Sequence, residues 1–445
     1  MALKGIDIFK LTPKTNCKDC SQPTCMAFAM KVAQGVAQIE QCPHMSPDAL
    51  DALSEATAPP MKAFKIGVAG GEYALGGETV LFRHDKTFVS KPLYAVCATP
   101  DAADTAIAEA CKVDYERIGE RMCVELIYLE YAGDKAAFAE AAKKAADSGK
   151  TLVLATDDAD AAKEALSAVA DAKPVLNGAN PSNLDAFAAL AKEYGVPLGV
   201  TADSLDALHD AVQALEKAEV KDIVIDVGAA SVKSAFENAV QIRRSALKSE
   251  DRSFGYPSLV NVAKLAPGDE RMQSALASLF TLKYGSIIVM EGMGYAQALP
   301  LYGLRQNIYT DPQKPMTVEV GNYPINGADE NSICALTVDF ALTYFIISGE
   351  VERSGVPTNL LIPDAGGYSV LTAWAAGKLS AGSIAKFIKE ESIEDKIKNR
   401  NLLIPGKVAV LKGELEENLP GWNIVVAPNE AISLVKFLKE FQAAA

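Results

Sequence analysis

The 445 residues include 43 Lys and Arg against 57 Asp and Glu, a net charge of −14, with 49% hydrophobic and 22% charged positions. That balance describes a folded chain with room for about three domains and argues against a nucleic-acid partner, which needs clustered basic residues. No apolar run approaches the ~18 residues of a membrane span, and Met1–Asp7 lacks the apolar stretch of a secretion signal, so a cytoplasmic location is expected.

The chain opens on a cysteine-rich head. Cys17, Cys20, Cys25 and Cys42 read C-x2-C-x4-C-x16-C, with Pro43 directly after the last. Four thiolates from a short segment suit a 4Fe-4S cluster, and a proline after the final ligand is familiar from ferredoxins. A structural zinc site is the rival, although zinc ribbons pair two C-x2-C knuckles and here the second pair is spread out. Met26, Ala29, Met30 and Ala33 recur at helical spacing, predicting an apolar helix face between the third and fourth ligands. So small a segment buries little core, so a metal centre is expected to hold it together. Cys97, Cys111, Cys123 and Cys334 lie scattered among apolar neighbours and read as buried free thiols.

Ala56-Thr57-Ala58-Pro59-Pro60 reads as a connector. Next come expected strands Phe64–Ala69 and Thr79–Phe82 around a loop with Gly70, Gly71, Gly76 and Gly77. A phosphate loop would end in Lys-Ser/Thr and run straight into a helix; neither is present, so a hairpin is the better account. From Leu93 to Gln306, short apolar strands alternate with alanine-rich helices such as Asp134–Ala146 and Leu205–Lys217. The expected strands are Tyr94–Ala98, Val124–Leu129, Leu152–Ala155, Val175–Asn177, Leu198–Thr201, Ile223–Val227, Leu259–Val262 and Ile287–Met290. Eight such repeats are the count of a TIM (β/α)8 barrel, with a doubly wound open sheet as the alternative. A second break falls at Tyr309-Thr310-Asp311-Pro312-Gln313-Lys314-Pro315. Beyond it, Ala335–Val338, Leu360–Ile362, Val408–Val410 and Ile424–Val426 read as strands of a parallel sheet. Phe340–Ser348, Ser383–Glu390 and Glu430–Phe441 read as its helices.

Histidine is limited to His44, His84 and His209, and no Ser/His/Asp set or HExxH motif can be traced. Asn177, Asn180, Thr201, Asp203 and Asp226 fall at barrel strand ends, where a catalytic site would form; the same residue types also cap helices. In the tail, the strand at Leu361 and Ile362 runs into Asp364-Ala365-Gly366-Gly367-Tyr368-Ser369 and then a helix. Glycines at such a strand end allow close backbone approach, and Val370, Leu371 and Ala373 around a Ser/Thr pair suit a large, flat, mostly apolar ligand. A plain turn accounts for the local pattern as well.

Together these residues resemble, over nearly the whole chain, the large (gamma) subunit family of corrinoid/iron–sulfur proteins of the anaerobic acetyl-CoA (Wood–Ljungdahl) pathway. The likeness rests on the four-cysteine head, Gly70-Gly71-Glu72 to Val80-Leu81-Phe82-Arg83-His84, and Leu304-Arg305-Gln306-Asn307-Ile308-Tyr309-Thr310-Asp311-Pro312. It continues through Tyr323-Pro324-Ile325-Asn326-Gly327 and the Asp364–Ala373 loop. The expected α/β multidomain organisation is a 4Fe-4S domain over 1–57, a linker and β-hairpin over 58–92 and a TIM barrel over 93–310. A linker over 311–330 then leads to a Rossmann-like corrinoid-binding domain over 331–445.

The resemblance implies a methyl carrier that takes part in methyltransferase reactions rather than a stand-alone catalyst. In such proteins a Co(I) corrinoid accepts a methyl group from methyltetrahydrofolate on a separate methyltransferase and passes it to acetyl-CoA synthase. The cluster serves reductive reactivation of Co(II). Implied partners are a small subunit completing a heterodimer, that methyltransferase, acetyl-CoA synthase and a reductive activator protein. The corrinoid is expected against Phe340, Thr343 and Ile346 on one helix face, with Gly366, Gly367, Tyr368, Val370, Leu371, Thr372 and Ala373 beside them. No D-x-H-x-x-G is present and the tail has no histidine, so a cobalt there should lack a protein imidazole. Two other readings stay open: a barrel methyltransferase binding a pterin on Asn177, Asp203 or Asp226, and a scaffold with a structural cluster.

Overall fold

The structure, a computed structural model, describes residues 5–33, 36–37, 39–46, 49–50, 60–68, 70–84, 86–311 and 314–444. Of the connector read at 56–60 only Pro60 is described, and Ala69 lies outside the described residues. The chain divides into two compact units: Met1–Arg83 with Phe88–Tyr309, and His84–Thr87 with Thr310–Ala445.

In the head, helix α1 (Gly5–Leu11) packs on α2 (Cys25–Ala33). Ile8, Phe28, Ala29, Val32, Ile39, Cys42 and Met45 form its small core. The helix expected between the third and fourth ligands is there, but its phase differs from the prediction. Met26 and Met30 are 37% and 47% exposed, while Phe28, Ala29 and Val32 turn inward. Cys25 sets this phase: its thiol is buried at the first helical position, and residues three, four and seven further on share its face.

Strands β1 (Ala63–Ile66) and β2 (Tyr73–Gly76) form an antiparallel hairpin. The return strand expected at Thr79–Phe82 therefore lies earlier in the chain. Gly76 and Gly77, both at positive φ, end it rather than turn into it. Then come β3 (Leu93–Ala98), the ribbon β4 (Asp114–Arg117) and β5 (Glu120–Cys123), β6 (Leu126–Glu130), β7 (Thr151–Ala155) and β8 (Val175–Ala179). They are followed by β9 (Leu198–Val200), β10 (Ile223–Asp226), β11 (Ser258–Asn261) and β12 (Ile287–Met290). All of these except the ribbon join as parallel neighbours into a closed eight-stranded barrel, which removes the open-sheet alternative.

Side chains alternate along each strand. Leu93, Ala95, Tyr128, Val153 and Val289 fill the interior, while Tyr94, Val96, Ile127, Leu154 and Ile288 meet the surrounding helices. The interior cluster also contains Ile66 and Leu75, so the hairpin plugs one end of the barrel. It is the amino-terminal end: Gly67 abuts Thr151 at the start of β7, and Gly76 abuts Pro257 just before β11.

At that same end Glu125 and Arg305 form an ion pair at 2.7 Å, with side chains 5% and 6% exposed. Glu125 also accepts from the Tyr94 N–H at 3.0 Å, and Arg305 donates to the Pro92 carbonyl at 2.8 Å. Burial works against the Arg305 charge, but Glu125 opposes it and holds the guanidinium protonated. The last barrel helix, Tyr295–Ile308, is thereby fastened to β3 and β6. Arg305→Ala should destabilise the barrel by about 3–5 kcal/mol, because Glu125 would remain buried and unpaired. Paired replacement by Glu125→Gln and Arg305→Met should cost less. A denaturation midpoint unchanged in the single variant would contradict this.

In the second unit β13 (Gly321–Ile325), β14 (Ile333–Leu336), β15 (Thr358–Ile362), β16 (Asn401–Ile404) and β17 (Asn423–Val426) form one sheet, in the order β13-β15-β14-β16-β17. It is mixed rather than wholly parallel: β13, inside the stretch read as linker, runs antiparallel to β15 at the edge. Val408–Val410, expected as a strand, lies in the 3-10 helix Gly406–Leu411, and the strand is β16 just upstream. Alternate strand residues feed two cores. Leu336, Leu361, Leu402 and Ile424 meet helix Ala381–Glu390 on one face; Ala335, Leu360, Leu403 and Val425 meet helices Ala341–Ser354 and Leu434–Ala444 on the other.

Of the four remaining cysteines only Cys334 is buried; Cys97 and Cys123 are half-buried and Cys111 is exposed, contrary to the expectation of uniform burial. Cys111 lies near the end of helix Ala103–Lys112, outside the two residues that helix buries. No described helix is long and apolar enough to cross a membrane.

Candidate cofactor sites in the head and the tail

In the head, Cys25 and Cys42 are buried, Cys20 is half-buried and Cys17 is exposed. Burial pushes the Cys42 thiol up, and the nearby charges of Cys20, Cys25 and Cys17 push the same way against a hydrogen bond from the His44 backbone. The four sulfurs thus share one neighbourhood. The backbone around them takes left-handed turns at Lys14, Asn16, Lys18 and Ser21. Such turns aim amide N–H groups into a concavity, the arrangement that receives anions and iron–sulfur centres. The Asn16 N–H lies 3.4 Å from Cys25 Sγ, and Asn16 Oδ1 accepts from the Cys25 N–H at 2.8 Å. Cys17, Asp19 and His44 bring ligand atoms within 4.8 Å of one another, and His44 Nε2 lies 2.5 Å from Asp19 Oδ2. Hydrogen bonds from His44 and Cys17 hold the Asp19 carboxyl below its ordinary range. Soft thiolates with an N–H donor on the Cys25 sulfur fit an anionic iron–sulfur centre.

At the barrel's carboxyl end, Asn177 donates to Asp226 at 3.1 Å and to the Tyr128 hydroxyl at 3.3 Å. Burial pushes the Asp226 carboxyl up, opposed by Asn177, the Gly228 N–H and Lys264. Asn177 Oδ1 has no partner among the described residues and presses on Gly199, where a Cβ would stand 2.0 Å away. Asn180 turns its carbonyl back onto the Ser182 N–H, Thr201 is half-buried and Asp203 is exposed. Of the five strand-end residues, the structure joins only Asn177 and Asp226.

The tail unit contains a cleft of about 330 Å³ at the carboxyl ends of β14 and β16. Chain order explains its position. The strand following β14 lies on one side of it and β16 on the other, so the loops part between them, at the switch point where open α/β sheets receive ligands. Of the residues expected against the corrinoid, Thr343, Ile346, Val370 and Leu371 line the cleft. Phe340 packs on the adjacent core, Ala373 is fully buried in it, and Gly366, Gly367, Tyr368 and Thr372 belong to the flanking loop and helix start.

Lys407 and Asn429, which also line the cleft, were missed because they follow β16 and β17 and the first of these strands was misplaced. Thr337 on its wall is 1% exposed, with a hydroxyl that has no partner among the described residues. Asp339 was missed too, although a lone acid just past an apolar strand was a usable signal. Its carboxylate accepts from the Ala365 N–H at 3.1 Å and the Gly367 N–H at 3.0 Å, holding the glycine loop down. Burial pushes this carboxyl up against those two N–H groups. Leu342, Ile346, Tyr368, Leu371 and Trp374 remain exposed on the helix and loop beside the cleft. An apolar rim around an orphan hydroxyl and a backbone loop suits a large, mostly apolar ligand with amide arms.

The two glycines differ. Both sit at positive φ, but a Cβ on Gly366 would make only ordinary contacts, with the Tyr368 ring at 3.6 Å and the Lys378 side chain at 3.9 Å. One on Gly367 would collide with Pro315 at 2.8 Å and Thr317 at 2.9 Å.

A family model described as CO dehydrogenase/acetyl-CoA synthase delta subunit matches residues 63–438, and one described as "Putative Fe-S cluster" matches residues 13–44. The corrinoid/iron–sulfur protein large subunit of Moorella thermoacetica is 40% identical over 445 residues, covering 99% of each chain. The acetyl-CoA decarbonylase/synthase complex gamma subunit of Methanothermobacter thermautotrophicus is 31% identical over 454 residues, covering 98% of this chain and 99% of its own. Among solved structures, dihydropteroate synthase of Thermus thermophilus covers 56% of this chain and 100% of its own, at 16% identity and a TM-score of 0.39, too low to carry an argument. Similarity from end to end to the Moorella protein, together with a family match that runs through barrel and tail, means that the chain belongs to the corrinoid/iron–sulfur large-subunit family of the acetyl-CoA pathway.

Proposed function

We propose that this chain carries methyl groups in acetyl-CoA synthesis, with a corrinoid in the tail cleft and a 4Fe-4S cluster on Cys17, Cys20, Cys25 and Cys42. The observation that carries the reading is the cleft itself: an apolar-rimmed opening at the switch point, with an orphan hydroxyl in its wall. A bound corrinoid supplies methyl-transfer chemistry from methyltetrahydrofolate to acetyl-CoA synthase, and a bound cluster supplies low-potential electrons for its reactivation. The chain's own residues do the holding. Thr343, Ile346, Val370 and Leu371 exclude water, and Asp339 holds the glycine loop in place beside them.

Residues 310–445 contain no histidine, and His84, grouped with the tail unit, does not line the cleft. A corrinoid there would have no imidazole from this chain. The cleft is smaller than a corrin ring with its arms, and its rim stays exposed. Both facts support a small subunit as the second wall, with a methyltransferase, acetyl-CoA synthase and a reductive activator as visiting partners.

Metal analysis of anaerobically purified, corrinoid-replete protein with its ultraviolet–visible spectrum tests this. About four irons and about one cobalt per chain are expected. Iron without cobalt would favour a scaffold, and stoichiometric pterin binding without cobalt would favour a barrel enzyme built on Asn177 and Asp226.

A further inference from the structure

The cysteine loop contains a reciprocal contact that none of the four thiols requires for ligation. Asn16 precedes the first cysteine and lies nine positions before Cys25, yet the two residues exchange hydrogen bonds. The Cys25 N–H donates to Asn16 Oδ1 at 2.8 Å, and the Asn16 N–H points back at Cys25 Sγ from 3.4 Å. Asn16 itself is left-handed, at φ 52°. Asparagine tolerates that region better than most residues, because its short side chain bonds the local backbone. Cys25 in turn starts α2, so its N–H is one of the amides a helix leaves unpaired, and the Asn16 carboxamide satisfies it.

We infer that Asn16 is a positioning residue that sets the reduction potential of the centre bound by the cysteines, by fixing an N–H donor on the Cys25 sulfur. The inference rests on the cluster reading given above. Hydrogen bonds to ligand sulfurs are one of the means by which proteins place iron–sulfur potentials. The reduced centre bears the greater negative charge on its sulfurs, so a fixed N–H stabilises it over the oxidised one and raises the potential. Because Cys25 is buried, bulk water does not replace that donor readily. The carboxamide acts as a latch: it holds the loop against α2 so that the amide behind it stays on the sulfur.

The test is an EPR-monitored redox titration of the full chain and three variants, with iron content as a second readout. Asn16→Gly keeps the left-handed backbone unstrained and removes only the latch. Asn16→Ala removes the latch and strains the backbone. Both should show a roughly tenfold lower ratio of reduced to oxidised centre at fixed ambient potential, a fall of about 59 mV for one electron. Asn16→Asp keeps an acceptor for the Cys25 N–H and should retain full iron through the same handling. If the glycine variant loses iron during purification, full retention in the aspartate variant supports the latch and equal loss overturns it. A glycine variant with full iron and the wild-type potential also overturns it. A wild-type chain with no iron–sulfur EPR signal on reduction would instead remove the cluster reading, and this inference with it.

Discussion

Cys20→Ala is expected to reduce the iron of the purified protein to near background while leaving cobalt within about twofold of the wild type. A four-thiolate centre missing one ligand loses its closed shell, and the head has little other core to hold the remaining sulfurs in place. The tail cleft proposed for the corrinoid lies in a different compact unit, made of residues that the substitution does not touch. Methyl acceptance should survive when a chemical reductant replaces the missing centre and fail when only protein reductants are supplied. An undiminished iron–sulfur spectrum in this variant would remove Cys20 from the ligand set, and parallel loss of cobalt would mean that the two sites are not independent.

Gly367→Val should have the second large effect, on cobalt alone. The residue is left-handed at φ 74°, and its Cβ would lie within 3 Å of Pro315 and Thr317. Strain of this kind costs about 1–3 kcal/mol, which corresponds to a roughly 5- to 150-fold loss of corrinoid occupancy if the loop must deform to relieve it. Its N–H would leave Asp339, exposing a buried carboxylate that had two amide donors. Gly366→Val should be milder, because only the dihedral strain applies there. Cobalt content and thermal midpoint, measured on both variants with iron as the internal standard, check the order. Equal, full cobalt in both would detach the loop from the ligand.

Much of the barrel was legible because its strands are buried on both faces and appear as short apolar runs separated by amphipathic helices. Each of the eight was located to within about two residues. The errors have physical causes. Met26 and Met30 looked like a core face because apolar spacing alone does not reveal that a buried ligand, Cys25, fixes the helix phase. The β4–β5 ribbon was missed because Asp114-Tyr115-Glu116-Arg117 is mostly charged, although Ile118 and Gly119, both at positive φ, mark its two-residue turn. In the tail, Asn401–Ile404 and Val408–Val410 are equally apolar, and only tertiary pairing with β14 and β17 decides between them. The cleft's apolar lining was readable from the Val370 and Leu371 pattern. Asp339 carried a signal that was overlooked, whereas Thr337 became visible only when the sheet placed it in the cleft wall.

The hairpin that fills the foot of the barrel also bears on the order in which this protein can fold. Ile66 and Leu75 leave the ribosome before any barrel strand, yet they pack against Leu259, Ile287 and Val289 from its last two strands. At about 5–20 residues per second, those partners emerge roughly 10–40 s later. Until then the hairpin's apolar face is covered only in part, by the earlier strands. Contacts so distant along the chain make for slow, all-or-none closure, and a nascent barrel lacking β11 and β12 should expose surface that chaperones bind. Yield during overexpression would then be limited by translation speed and chaperone supply before cofactor supply matters.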